Sequence, residues 1–202
     1  MLRITVLVSG NGTNLQAVID GIESGFIQGA EIGLVISSNP NAYSLERAKK
    51  HNIKSLVIGK ANYPDIKERT KALIDALDEA KTDLVILAGY MSILDSKIIE
   101  AYRGRIINVH PSLIPQFCGK GFYGKYVHEA VLASGALETG ATVHYVDEGI
   151  DTGPIILQEK VPVLEGDTVD TLAARVLKTE HKILKEAVKI MIASLSEKKG
   201  DR

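Results

Sequence analysis

Apolar residues fall in short blocks along the chain. Leu2 to Val8, Glu31 to Ile36, Ser55 to Ile58, Asp83 to Ala88 and Arg105 to Val109 are Val-, Ile- and Leu-rich runs of strand length. Runs this continuous lack the alternation of a strand with one wet face, so both faces are expected to be covered. Between them lie longer stretches with apolar positions at helical spacing, such as Leu15, Val18, Ile19 and Ile22, then Ile66, Thr70, Leu73, Ile74 and Leu77. Strand and helix alternate at a pitch that predicts right-handed βαβ units. The expected fold class is α/β: a doubly wound, mostly parallel sheet with helices on both faces.

The pattern changes after Val109. A Gly- and Pro-bearing stretch from Pro111 to Gly124 leads into a helical segment ending near Ala133, and two strand-like runs follow, Ala141 to Val146 and Pro154 to Val163. The Asp147–Gly153 connection between them is too short for a parallel crossover, so the C-terminal part of the sheet is expected to be antiparallel. The chain closes with a long helix in which Val169, Leu172, Val176, Ile183, Leu184, Ala187, Val188 and Met191 keep the helical period, with Gly166-Asp167-Thr168 as its cap. One domain over 1–202 is expected, with a phosphate-binding half over 1–109, a catalytic half over 110–196 and a polar tail over 197–202.

Composition narrows the function classes without choosing among them. With 45% hydrophobic and 24% charged residues the chain matches an ordinary folded protein. Lys and Arg number 24 against 25 Asp and Glu, a net charge of −1, so no global basic field exists to hold a nucleic-acid backbone or an anionic membrane. Neither is expected as a partner. The single cysteine, Cys118, can form no intramolecular disulfide and no thiolate zinc cluster, which fits a reducing compartment. The opening MLRITVLVSGNG is too short an apolar run for a secretory signal, and no stretch reaches membrane-spanning length, so a cytoplasmic location is expected.

Three segments carry candidate chemistry. Ser9-Gly10-Asn11-Gly12-Thr13-Asn14 follows the first strand and opens the first helix, where an anion would meet unpaired backbone N–H groups. Leu15 replaces the third glycine of a dinucleotide fingerprint and the P-loop lysine is missing, so a phosphate monoester fits better than NAD or ATP. A glycine turn with a Ser, Thr or Asn cap explains the same residues. The second segment, Asn108 to Pro115, ends the fifth strand. Period two puts Asn108 and His110 on one face, an amide able to donate to an oxyanion beside an imidazole able to move a proton. A structural histidine before a proline is the competing reading. The third segment, Gly140 to Pro154, sets Asp147, Glu148 and Asp151 in a glycine-rich loop. These acids read as a solvated turn unless the loop folds over the strand ends, in which case Asp151 would orient and charge-stabilise His110. His51, His110, His128, His144 and His181 show neither HExxH nor close pairing, so no metal is required.

In this order and at this separation, the three segments resemble the folate-dependent formyltransferases. The resemblance extends through Leu87 to Leu94 and Thr179-Glu180-His181, and so over nearly the whole chain. The short length and the Gly-Asn-Gly-Thr-Asn loop match the branch that formylates phosphoribosylglycinamide in purine synthesis. The resemblance implies a Rossmann-like formyltransferase fold and 10-formyltetrahydrofolate as co-substrate, with no metal. It implies that Asn108, His110 and Asp151 are catalytic, that Gly12, Thr13 and Asn14 hold the acceptor's phosphate, and that Glu180 binds its ribose hydroxyls. Met91, Ser92, Ile93 and Leu94, with Asn108 and Asp147, would hold the folate. Thr142 stands where a small hydroxyl residue helps position a catalytic water, and His144 lies one β-period beyond it in a supporting place. The implied partners are these two small molecules, in a monomer or homodimer.

Two features depart from the family pattern. The Gln116–Tyr126 loop is longer than usual, with Cys118 in place of a proline, and Ile66 stands where relatives offer a basic residue to the folate tail, with Lys67 and Arg69 nearby. Two rival functions follow from the same residues. One is a 10-formyltetrahydrofolate hydrolase with water as acceptor, which usually carries an extra regulatory domain. The other is a non-catalytic phosphate- or nucleotide-binding module, which would not require Asn108, His110 and Asp151. Transfer to methionyl-tRNA is disfavoured by the net charge of −1.

Overall fold

A computed structural model describes residues 1–200. The chain runs β1 (Leu2–Val8), α1 (Thr13–Glu23), β2 (Ala30–Ser37), α2 (Tyr43–Lys50), β3 (Ser55–Val57), α3 (Ile66–Glu79), β4 (Leu84–Leu87), α4 (Ser96–Ala101), β5 (Ile106–His110), α5 (Lys125–Ser134), β6 (Glu138–Tyr145), β7 (Ile155–Pro162) and α6 (Val169–Gly200). The strands form one sheet in the order β3-β2-β1-β4-β5-β6-β7. Neighbours from β3 to β5 are parallel, whereas β6 is antiparallel to β5 and β7 to β6. This is the mostly parallel sheet with an antiparallel C-terminal part that the sequence predicts. β6 starts at Glu138, earlier than its apolar run, because Glu138, Thr139 and Gly140 pair through their backbones with Pro162, Val161 and Lys160.

Alternate strand residues serve opposite faces. Ile4, Val6 and Val8 with Leu84 and Ile86 join a core that includes residues of α1 and α6, while Leu7, Val85 and Leu87 join another that includes residues of α3 and α4. Both faces are dry, which is why these strands read as unbroken apolar runs. Ile107, Val109, Ala141 and Val143 belong to the first core. Period two therefore leaves Asn108, His110, Thr142 and His144 together on the opposite face of β5 and β6.

The strand order reverses beside β1, whose neighbours are β2 and β4. Loops leaving the carboxyl ends of β1 and β4 emerge side by side at such a switch point. Ser9 Oγ accepts a hydrogen bond from the Met91 N–H at 2.8 Å, tying the two loops together. Gly12 caps α1 in the left-handed region at φ 75° with no side-chain hydrogen bond to the helix end among the described residues, so the Ser, Thr or Asn cap of the competing reading does not form. A Cβ at Gly12 would lie 2.6 Å from the Ser44 Cβ, so the close approach of α2 demands glycine as much as the dihedral does.

At α6 the expected cap is present. Thr168 Oγ1 accepts the Thr171 N–H at 3.2 Å and Thr171 Oγ1 accepts the Thr168 N–H at 2.9 Å, a reciprocal box. Within the expected polar tail at 197–202 the chain stays helical as far as Gly200, since Glu197 and Lys198 are good helix formers and prolong α6. Asp201 and Arg202 lie outside the described residues. The 109/110 boundary between the two expected halves falls inside β5. Among the described residues no helix is long and apolar enough to cross a membrane.

Candidate active site

The β5–β6 register places Asn108 directly opposite His144 and His110 directly opposite Thr142. Opposed residues of an antiparallel pair share a face at contact distance, so these four polar side chains form one patch. A slip of one residue would turn all of one strand's members into the other core.

Asp151 reaches this patch from the loop between β6 and β7. Asp147 Oδ1 accepts the Gly149 N–H at 3.1 Å and the Thr152 hydroxyl at 2.6 Å, which winds the loop on itself. A Cβ at Gly153 would stand 1.8 Å from the Tyr145 carbonyl oxygen, so only glycine lets the loop close. Glu148 pairs outward with Arg103 at 2.7 Å. Asp151, held at φ 58°, turns inward and its side chain is 11% exposed. A solvated turn describes Glu148 but not Asp151.

The carboxylate of Asp151 sits between two imidazoles. Oδ2 is 3.6 Å from His110 Nδ1 and accepts the Gly119 N–H at 3.0 Å, while Oδ1 is 3.6 Å from His144 Nε2 and accepts the Asn108 Nδ2 amide at 3.3 Å. At 3.6 Å neither ring bonds the carboxylate directly. Backbone carbonyls, which can only accept, fix both tautomers. His110 Nε2 donates to the Phe117 carbonyl at 2.9 Å and His144 Nδ1 to the Tyr145 carbonyl at 2.8 Å. The nitrogens left to face the carboxylate are His110 Nδ1 and His144 Nε2.

Burial pushes the His110 pKa below the ordinary histidine value, against the opposing pull of Asp151 and the Phe117 carbonyl. Burial would raise Asp151, but the His144 and His110 rings and the Gly119 N–H outweigh it and hold the carboxyl below its usual range. The resting pair is a neutral imidazole beside a carboxylate.

These residues lie on a cavity of about 510 Å³. Its walls include Met91, Ser92, Ile93, Leu94, Asn108, His110, His144, Asp147 and Asp151, all singled out from the sequence. Tyr90, Lys120, Phe122 and Tyr123 also line it. Sequence reasoning assigned no role to Lys120, Phe122 and Tyr123 because the Gly119–Gly124 stretch has no periodicity to show which way it faces, and it stopped one place short of Tyr90, the neighbour of Met91.

One expected role changes. Thr142 is fully buried and does not line the cavity. Its hydroxyl donates to the Ser112 carbonyl at 2.6 Å and accepts the Ile114 N–H at 3.2 Å and the Gln158 amide at 2.9 Å. One donor and two lone pairs are thereby used, leaving nothing to hold a catalytic water. Thr142 pins the Ser112–Pro115 turn instead. Asn108 Nδ2 donates to Asp151 Oδ1 at 3.3 Å and lies 3.1 Å from His144 Nε2.

Gly12, Thr13, Asn14 and Glu180 are not on the cavity wall. Asn14 Nδ2 donates to Glu180 Oε2 at 2.8 Å, joining α1 to α6, and Asn14 Oδ1 is buried with no hydrogen-bond partner among the described residues. Burial pushes the Glu180 carboxyl up, only partly offset by Asn14. Cys118 Sγ donates to the Pro115 carbonyl at 3.3 Å.

Where the antiparallel pair completes the parallel sheet, an amide, two imidazoles and a carboxylate converge, a set able to move a proton and stabilise charge. Residues 2–188 match the formyl transferase family, and the chain belongs to that family. It is 40% identical over 189 residues to the phosphoribosylglycinamide formyltransferase of Haemophilus influenzae, covering 94% of this chain and 86% of that protein. It is 45% identical over 181 residues to the trifunctional purine biosynthetic protein adenosine-3 of Drosophila pseudoobscura, covering 89% of this chain but only 13% of that much longer protein. The crystal structure of glycinamide ribonucleotide transformylase 1 from Symbiobacterium toebii superposes with a TM-score of 0.90 at 43% identity, covering 96% of this chain and 89% of that one.

Proposed function

We propose that this protein transfers the formyl group of 10-formyltetrahydrofolate to the amine of phosphoribosylglycinamide, giving formylphosphoribosylglycinamide and tetrahydrofolate in purine synthesis. The observation that carries this reading is the Asp151 carboxylate set between two imidazoles of fixed tautomer on the cavity wall. Family membership and the likeness to phosphoribosylglycinamide formyltransferases support it.

The amine nitrogen bonds to the formyl carbon, the bond from that carbon to folate N10 breaks, and the proton lost by the amine ends on N10. Attack creates an oxyanion and a cationic nitrogen. Neutral His110 takes up the proton at Nδ1, directly or through water, and Asp151 stabilises the imidazolium that forms. The Nδ1–H then supports the oxyanion and delivers the proton to the leaving nitrogen. No covalent enzyme intermediate is needed. Gly12, Thr13 and Asn14 are assigned to the acceptor's phosphate and Glu180 to its ribose, while Met91 to Leu94 and the Asp147–Asp151 loop are assigned to the folate. The protein is taken to act as a monomer or homodimer. The single cysteine supports a cytoplasmic setting.

The test is turnover of 10-formyltetrahydrofolate by purified protein, with and without phosphoribosylglycinamide, following formylated product by mass. Acceptor-dependent formylation is expected. Acceptor-independent formate release would make the protein a hydrolase, and binding without turnover a non-catalytic module.

A further inference from the structure

Arg47 lies off the cavity wall and has no step in the mechanism above. We propose that Arg47 is a positioning residue that holds the Asn11–Gly12 peptide in the orientation in which the first loop receives the acceptor's phosphate. This inference rests on the formyl-transfer reading for its substrate, though not for its geometry.

Arg47 stands one turn into α2 and reaches across to the loop between β1 and α1. Its Nε donates to the Asn11 carbonyl at 2.8 Å, its Nη2 to Asn11 Oδ1 at 3.0 Å and its Nη1 to Gln16 Oε1 at 3.2 Å. The guanidinium also lies 5.0 Å from the centre of the Tyr43 ring, which holds its plane from a second side. All three acceptors are neutral. These hydrogen bonds therefore leave a positive charge uncompensated beside the loop.

A planar trans peptide points its C=O and N–H in opposite directions. With the Asn11 carbonyl drawn to Arg47, the Gly12 N–H is turned away from it and joins the N–H groups that open α1. Those groups have no side-chain cap, and no acid stands in the first turn of the helix. Glycine accepts either sign of φ, so without Arg47 this peptide can turn over at little cost and set a carbonyl oxygen among the N–H groups. Fastening the Asn11 backbone and side chain to one planar fork removes that freedom. A separate observation marks the loop as an unfilled site. Ser44 packs against Gly12 and donates its N–H to the Gly10 carbonyl at 3.1 Å, and its hydroxyl is fully buried with no hydrogen-bond partner among the described residues. Uncapped N–H groups, an unused hydroxyl and an uncompensated cation together suit a phosphate dianion.

Kinetics on the full chain test this with two acceptors, phosphoribosylglycinamide and its dephosphorylated form. Arg47→Lys keeps the charge and loses the fork. It should raise KM for phosphoribosylglycinamide about tenfold, with kcat and the folate KM within about twofold and with the dephosphorylated acceptor used as well as by wild type. Asn11→Ala keeps the carbonyl contact and loses only the one through Oδ1, so it should raise the same KM about threefold and add little on top of Arg47→Lys. Asn11 is exposed, so this variant keeps the comparison available if Arg47→Lys does not fold. An acceptor KM unchanged in either variant, or an equal loss on both acceptors, overturns the proposal. If wild type forms no product from phosphoribosylglycinamide, the formyl-transfer reading has failed and titration with ribose 5-phosphate decides the role of Arg47. Binding about tenfold weaker to Arg47→Lys than to wild type then sustains it, and equal binding, or none to wild type, overturns it.

Discussion

Thr142→Val separates a pinning role for this hydroxyl from a role in the chemistry. The side chain keeps its shape and loses only hydrogen bonding. The Ser112 carbonyl, on a fully buried residue, and the half-buried Ile114 N–H lose the partner they have in Thr142, whereas the exposed Gln158 amide can turn to water. A buried polar group left unsatisfied costs about 1–3 kcal/mol, so two together should cost about 2–4 kcal/mol with Ile114 near the low end. For a chain of this size that is a fall of about 5–15 °C in Tm. Catalysis should weaken as well, because Ser112 Oγ donates to the Gln116 carbonyl at 2.6 Å and lies 3.2 Å from the Phe117 carbonyl that holds His110 Nε2. A loosened turn lets the His110 ring drift, and kcat should drop by about 10- to 100-fold. Thermal scans and steady-state kinetics on Thr142→Val and Thr142→Ser decide the matter, with Ser restoring both properties. An unchanged Tm alongside a kcat reduced more than 100-fold would refute the pinning argument, since the hydroxyl would then be serving the reacting groups.

Asp151→Asn should lower kcat by about 10²- to 10⁴-fold and move the His110 titration still lower, because the carboxylate is what opposes the effect of burial there; an unmoved His110 titration in NMR would contradict the pairing. Glu180 has its carboxyl pushed up in the fold, so its contribution to stability is complete below the unfolded pKa and is lost as pH rises through the folded one. Glu180→Gln should therefore raise Tm at pH 7 and lose that advantage near pH 4, while raising KM for the acceptor; a Tm difference independent of pH would count against a buried ionisable acid. The Cys118 thiol is pushed up by burial and by Asp151, so iodoacetamide should alkylate it more slowly at pH 7 than an unperturbed thiol and faster in Asp151→Asn. Equal rates in the two proteins would remove Asp151 as a cause.

The arrangement of strands was legible because both faces of the sheet are dry, and unbroken apolar runs separated by helical spacing have few other meanings. Asn108 and His110 could be placed on one face by period two alone. Their partners could not. Which residue of β6 lies opposite His110 depends on where the long 111–137 connection returns, and no local pattern encodes that distance. The misreading of Thr142 has the same origin, since its hydroxyl is used up by Ser112 and Ile114, about thirty residues away along the chain. The carbonyls of Phe117 and Tyr145 that fix the two tautomers are main-chain groups, which nearly any residue could supply. Asp151 stood out only as an acid beside a tight turn, and a solvated role for it was excluded by the fold-back of its loop.

That fold-back explains why the three acids of the loop divide their work. β6 leaves the sheet beside Ile106, where the Val146 N–H bonds to the Ile106 carbonyl, at the end of β5 away from His110. A loop starting there reaches Asn108 and His144 only by doubling back across the sheet face. Doubling back needs a turn that closes on itself, which Asp147 supplies through Gly149 and Thr152, and a backbone passing close to Tyr145, which Gly153 permits. Asp147 thus has one carboxylate oxygen committed to the loop before any ligand arrives, so its place on the cavity wall does not by itself make it a folate contact. Its first effect is on the direction of Asp151. Glu148, paired with Arg103 of the segment between α4 and β5, secures the outer side of the same turn. The antiparallel end of the sheet is therefore what makes the site possible: it sets two strands' polar residues directly opposite one another, and it brings the following loop back over them with a carboxylate turned inward.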